Sequence, residues 1–207
     1  MRRFVRSAVL AAAILAAAGP PAASAMLGDA TVPYRAMRTV TIDGRSYVGS
    51  VESEPGHQRH EQSLFGLDEV FLLDTRAASG ILMLPSVHTY IEFALPPLMA
   101  ELSAPDLFRH PLGTETIAGV ATTKYRIDHT AHDGSRAKGY LWVSSSRILM
   151  KFDLAVTRAH GGRPMAISMA LSALKTGPVD PELFRLPQGL VRLPPDALGP
   201  LLGGRPG

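Results

Sequence analysis

Histidine pairs, a serine run and neighbouring carboxylates are the side chains of this sequence best placed for chemistry. His57 and His60 stand three apart, as do His129 and His132, the latter pair with Asp133 beside it. In a strand, a spacing of three sends the two side chains to opposite faces, which suits a shared metal badly. His129, His132 and Asp133 fall at the tip of a predicted hairpin, where local ligation is one reading. Ordinary solvated histidines are the favoured one. Neither pair has the helical His-Glu-x-x-His frame of a zinc enzyme. Ser144, Ser145 and Ser146 follow a predicted strand without the Gly-x-Ser-x-Gly elbow of a serine hydrolase. The chain has no cysteine and hence no thiol nucleophile. Asp68 with Glu69, and Glu52 with Glu54, are acids of the kind that mark solvated faces and turns in a β-rich chain. Gly161-Gly162 before Arg163 is not a phosphate loop, because no helix pattern follows it. The expectation is a protein with no catalytic residues, no metal and no cofactor.

What remains is flexible apolar side chains: Met37, Met83, Met99, Met150, Met165 and Met169. Methionine adapts to irregular apolar shapes and is over-used on promiscuous binding surfaces. It also fills ordinary cores, and the two readings stand level on the residues alone. Tyr140 and Trp142 share a strand face and either wall a cavity or anchor the core.

The elements that must position these residues read mostly as short strands from Tyr34 to about Leu174. In 148–154, Ile148, Met150, Phe152 and Leu154 alternate with Leu149, Lys151 and Asp153; in 165–172, Met165, Ile167, Met169 and Leu171 alternate with small residues. Tyr125 and Ile127 alternate with Lys124, Arg126 and Asp128. Period two with one apolar face marks an antiparallel strand whose other face meets water. Asp43-Gly44, Pro55-Gly56, Asp133-Gly134 and Gly161-Gly162 separate successive runs and predict consecutive hairpins, a meander rather than β-α-β units. Pro96-Pro97 opens and Pro105 closes a short predicted helix over 98–104, with Leu98, Met99 and Leu102 on one face. Residues 178–193, including Leu183-Phe184-Arg185-Leu186-Pro187, read as an irregular strap across the sheet. The fold class is therefore mainly β, a single antiparallel domain over 34–193 with one short helix.

The N-terminus reads as a cleavable export signal. Arg2, Arg3 and Arg6 precede an apolar stretch over 8–18, then Gly19, Pro20 and Pro21, then Ala23-Ser24-Ala25, which places the cut after Ala25. The apolar run is about half of the roughly 20 residues a membrane span needs. Arg2-Arg3 points to twin-arginine export, but the residues after it match that pattern poorly and general secretion is favoured. Met26 stands where a lipoprotein would carry its lipidated cysteine. Removal of 1–25 takes away three arginines and no acid, so the formal charge falls from +3 to zero, 18 basic against 18 acidic side chains. A neutral chain lacks the basic footprint of a nucleic-acid binder. Residues 26–33 form the mature N-terminal segment. Residues 194–207 form a flexible Gly/Pro-rich tail.

The run Gly113-Thr114-Glu115-Thr116-Ile117-Ala118-Gly119, then Thr122-Thr123-Lys124-Tyr125, then Gly139-Tyr140-Leu141-Trp142-Val143-Ser144 and Ile148-Leu149-Met150-Lys151, resembles exported bacterial proteins of the LolA-like superfamily, in particular a branch defined by a domain of unknown function. Pro181-Glu182-Leu183-Phe184-Arg185-Leu186-Pro187 is similar to that branch's closing phrase, as is the opening strand over 34–40 with its glycine turn. The resemblance implies a strongly curved, incomplete barrel with a helical lid over an apolar cavity, in a periplasmic carrier or sensor without chemical turnover. The ligand so implied is a lipid or the acyl chains of a lipoprotein. The candidate lining residues are Met83, Met99, Leu102, Trp142, Met150, Phe152, Met165 and Met169. The other reading, of a different class, is a structural or regulatory protein that docks an envelope protein partner through a sheet edge or the lid.

Overall fold

Alternation and turn chemistry carry through to one sheet. The computed structural model describes residues 30–64, 67–102 and 111–194; the signal, its cleavage site, Met26, the predicted end of the helix and all of the tail but Pro194 lie outside them. The strands are β1 Tyr34–Ile42, β2 Arg45–Glu54, β3 His57–Leu64, β4 Leu67–Asp74, β5 Ser79–Leu84, β6 Thr89–Ala94, β7 Pro111–Ile117, β8 Val120–Thr130, β9 Arg136–Ser144, β10 Leu149–Thr157, β11 Met165–Thr176 and β12 Val191–Arg192. Among the described residues one short α-helix, α1, spans Pro97–Glu101 between β6 and β7.

The order across the sheet is β12-β6-β5-β4-β3-β2-β1-β11-β10-β9-β8-β7. It is curved and open, not closed into a barrel. Strands β1 to β6 form one meander of hairpins and β7 to β11 a second. Asp43 (φ 46°) and Gly44 (φ 83°) make the tight turn between β1 and β2, where two successive left-handed residues match the strand twist. The meanders join where β1 pairs with β11, Val40 opposite Met169 and Ile42 opposite Ile167. Among the paired strands only β12 runs parallel to its neighbour, β6.

Directly opposed residues share a face, and alternate residues along a strand change face. The face carrying α1 is called inner here. Its apolar residues gather in three clusters: Phe71, Leu73, Leu82, Leu84 and Leu95 on β4, β5 and the residues after β6; Tyr34, Ala36, Val51, Met150, Met169 and Leu171 around the β1–β11 seam; and Ile127, Ala137 and Leu141 on β8 and β9. On the outer face Val70, Leu72 and Met83 meet Leu186 and Leu190 of the C-terminal strap. The strap is pinned by β12 and by an ion pair between Arg192 Nη2 and Glu92 Oε2 at 2.5 Å. Its Phe184 ring lies 6.1 Å from the His57 ring.

Two boundaries differ from the sequence expectation. Ile148 stands in the turn before β10, buried, its N–H donating to Ser144 Oγ at 3.1 Å. The helix ends at Glu101 with Leu102 as its C-cap. Leu98 and Leu102 share the β8–β9 cluster, whereas Met99 packs with the β4–β5 cluster. Successive helical residues are about 100° apart, so a helix lying between two walls divides Leu98 from Met99.

Candidate functional site

The inner face under α1 is the candidate site. Pro97 takes the first helical position, where its missing N–H is harmless. Leu98 packs on Ile127, Ala137 and Leu141, while Ala100 and Met99 pack on Phe71, Leu73, Leu82 and Leu84. A five-residue helix is about 7.5 Å long, so the curvature of the sheet brings its two walls within reach of a single helical turn. The carboxylate of Glu101 fixes the end of that turn. Its Oε2 lies 2.7 Å from His129 Nε2; its Oε1 accepts the His132 backbone N–H at 3.1 Å and also meets the His132 ring at Nδ1. Partial burial opposes ionisation of Glu101, but the His132 N–H and the two rings outweigh it and hold the carboxyl below its usual range. Among the described residues no group of three His, Cys, Asp or Glu is placed to hold an ion.

Between the walls, β1 to β4 turn a polar belt inward. Arg38 Nη2 donates to Gln62 Oε1 at 2.8 Å, and Gln62 Nε2 donates to Glu69 Oε2 at 3.0 Å. In register, Gly49 lies between Arg38 and Gln62. A Cβ there would stand 2.0 Å from the Glu61 carbonyl oxygen, so only glycine permits this strand approach and leaves the space the guanidinium crosses. Burial lowers the Arg38 pKa to about 10, against the pull of Tyr34 and Glu69. Glu69 is 3% exposed. Burial raises its pKa, and Gln62 and Arg38 only partly offset this. Burial, with Arg38 adding to it, keeps His60 well below the ordinary imidazole range. Its Nε2 is 3.0 Å from Gln58 Oε1, which leaves Nδ1 as the acceptor of the neutral ring. Burial pushes the Tyr34 hydroxyl up to about 12. Arg38 Nε and His60 Nδ1 are among the buried polar atoms of the belt that have no hydrogen-bond partner. Such orphans cost about 1–3 kcal/mol each and call for an explanation.

The structure distributes the eight predicted lining residues over both faces. Met150 and Met169 meet at the seam, with Phe152 against them. Met165 is opposite Val156 on the same face. Met99 and Leu102 belong to opposite walls of the lid. Met83 is on the outer face, opposite Val70 and under the strap, so it does not line the inner surface. Trp142 is also outside: Phe152 is opposite Leu141, and Trp142 is opposite Lys151 and Lys124. Its ring lies under Lys151 Nζ (4.4 Å) and Lys124 Nζ (4.8 Å), and its Nε1 donates to Glu115 Oε2 at 2.6 Å. The lysine stems, not a cavity, cover it. Tyr140, 6.2 Å away ring to ring, stands beside it on the same outer face. A shallow polar hollow of about 230 Å³ near Arg126, Asp128, Lys138 and Tyr140 is crossed by the ion pairs of Asp128 with Arg136 and Lys138.

His57 and His60 point to opposite faces, as their spacing requires. The polar belt itself is absent from the sequence expectation. Its signal is a charged residue in the apolar phase of a strand: Arg38 follows Tyr34 and Ala36 and precedes Val40 and Ile42 at intervals of two.

A scan against protein-family models and a search of curated proteins find no match. Among solved structures, the chain is similar to MucB in complex with MucA(peri), at 13% identity and TM-score 0.45, covering 79% of this chain and 57% of that one. It is similar to an uncharacterized conserved protein from Thermus thermophilus, at 10% identity and TM-score 0.48, covering 80% and 92%. It is also similar to the Pseudomonas aeruginosa MucA/MucB complex, at 12% identity and TM-score 0.44, covering 79% and 58%. The chain spans less than two thirds of the length of the MucB chains it matches. With each of these TM-scores below 0.5, none of the three assigns a family or a function. Among the described residues no helix is long and apolar enough to cross a membrane.

Proposed function

We propose that the chain is an exported, periplasmic half-barrel protein of the LolA-like type, a non-enzymatic carrier or sensor. It holds an apolar ligand, a lipid or the acyl chains of a lipoprotein, on the inner face under α1. The single observation that carries this reading is the seating of α1. Its Leu98 and Ala100 are held by opposite walls of one curved sheet, which makes the helix a cover over the surface between them. That surface keeps Phe152, Leu154 and Ile167 only half-buried, and such apolar, concave surfaces with a few placed polar groups are where small ligands bind. In this reading residues 1–25 are the export signal and 34–193 the binding domain. The test is native mass spectrometry of the gently extracted protein. A co-purifying lipid mass, lost on denaturation, supports a carrier; an unliganded chain that leaves a fluorescent fatty acid unbound sinks it.

A second reading, docking of an envelope protein, has its own observation. β7 is an edge strand, its residues exposed but for half-buried Ile117, with Leu112 56% exposed. An edge of this kind can accept an added strand. A stoichiometric protein in place of lipid in the same spectra would favour it.

A further inference from the structure

We infer that the ligand of the inner face is a single-chain fatty acid whose carboxylate is bound by Arg38. This rests on the apolar-ligand reading above and adds its headgroup. Arg38 is a cation on a buried stretch of sheet whose one direct side-chain partner given by the geometry is neutral, the Gln62 amide. Glu69 acts on Arg38 through its charge but is joined to it by hydrogen bonds only through that amide. A buried charge without a bonded counter-ion is costly, and Arg38 Nε–H has no partner at all. A carboxylate is the planar monoanion that matches a guanidinium edge, and it would satisfy that orphan donor. A fatty acid and a phosphate diester each bring one negative charge, and the single apolar strip that begins at Arg38 favours the ligand with one chain over the diester with two.

The tail has a surface to follow. Arg38 is opposite Leu171, the next row inward pairs Val40, Met169 and Phe152, and the row after that pairs Ile42, Ile167 and Leu154. All these side chains share the inner face, and Phe152, Leu154 and Ile167 remain half-exposed. From the Arg38 row to the Ile167 row is roughly 14 Å at about 3.4 Å per residue, an apolar strip beginning at the guanidinium. Between the Arg38 and Ile42 rows no charged side chain stands in register; Arg45, exposed on β2, is opposite Ile42 at the far end of the strip.

The experiment displaces a fluorescent fatty acid from the exported chain with palmitate or with methyl palmitate at pH 7.5. Palmitate should compete at least about tenfold better than its ester, as expected for a hydrogen bond to a charged group. In Arg38→Gln the advantage should vanish while the ester still competes as before, and Arg38→Lys should keep part of it. Glu69→Gln should leave the acid preference intact; its loss there would make Glu69 the reader of the head and overturn the proposal. Equal competition by acid and ester on the natural chain overturns the headgroup inference and leaves the apolar-ligand reading standing. That comparison needs no variant to fold. Failure of the probe to bind at all overturns both.

Discussion

Glu101 and His129, 28 residues apart in sequence, meet at 2.7 Å across the inner face. With His132 on the other carboxylate oxygen, this contact ties the only α-helix among the described residues to the end of β8. Glu101 has a folded pKa below its unfolded value near 4.5. A depressed acid adds stability that is complete above the unfolded pKa and is lost as pH falls through the folded one. Glu101→Gln should therefore cost about 1 kcal/mol at pH 7, and the gap to the natural chain should close as pH falls below 4.5 and through the lower folded pKa. Urea unfolding at both pH values checks this; a gap that persists at low pH would mean that the carboxylate charge is not what holds the helix.

His60 predicts a loss in the same direction at higher pH. Its folded pKa lies well below the unfolded 6.5, because burial keeps the ring neutral. The unfolded chain takes up the proton first, so stability falls as pH drops below about 6.5. His60→Gln removes that proton uptake. The unfolding midpoint of the natural chain should decline between pH 7 and 5 more steeply than that of the variant. Parallel declines would place the titration elsewhere.

The chain has one tryptophan, Trp142, and its ring is on the outer face beneath Lys124 and Lys151. A brominated fatty acid held on the inner face should leave Trp142 emission unchanged at saturation, although unfolding should shift the emission. Strong quenching on binding would put the ligand on the outer face and contradict the site.

Met150 and Met83 separate packing from binding. Both are buried, at 0% and 3% exposed, and truncation of either to alanine should cost about 2–5 kcal/mol. Met150→Ala enlarges the inner surface beside Phe152 and should alter fatty-acid uptake. Met83→Ala, under the strap on the far face, should leave uptake unchanged in the folded fraction. Equal effects on uptake would erase the distinction between the faces.

The meander and the short helix were legible because they are local. Asp43-Gly44 encodes its turn, and β10 and β11 show clean alternation since each has one half-exposed face. The central strand β4 hides its period: Val70, Phe71, Leu72 and Leu73 are all buried, two under the strap and two under α1, so no face is polar. Glu69 shows the same blindness. Beside Asp68 it reads as a solvated acid, but its strand lies inside the sheet and covers it. The side of the sheet on which Trp142 falls depends on the register of Leu141 against Phe152, which is set by a bulge between Leu149 and Lys151. A one-residue change of register moves every side chain to the other face, and no local pattern announces it. Arg38, Gln62 and Glu69 come from three strands, and Glu101 reaches His129 and His132 from another element. These are products of topology.

The seam between β1 and β11 has a kinetic consequence. Every other antiparallel pairing joins strands consecutive in the chain, but this one joins Tyr34 to Thr176 and Ile42 to Ile167. Local hairpins close within microseconds, while such distant pairings carry the loop-closure cost and come late. Until then each half presents a long unprotected edge, β1 on one and β11 on the other, complementary in register. Two nascent chains at high concentration therefore meet the same choice as one chain alone. β1 of one copy can zip onto β11 of the next, and an exchanged dimer is the misfolded form this topology most readily produces.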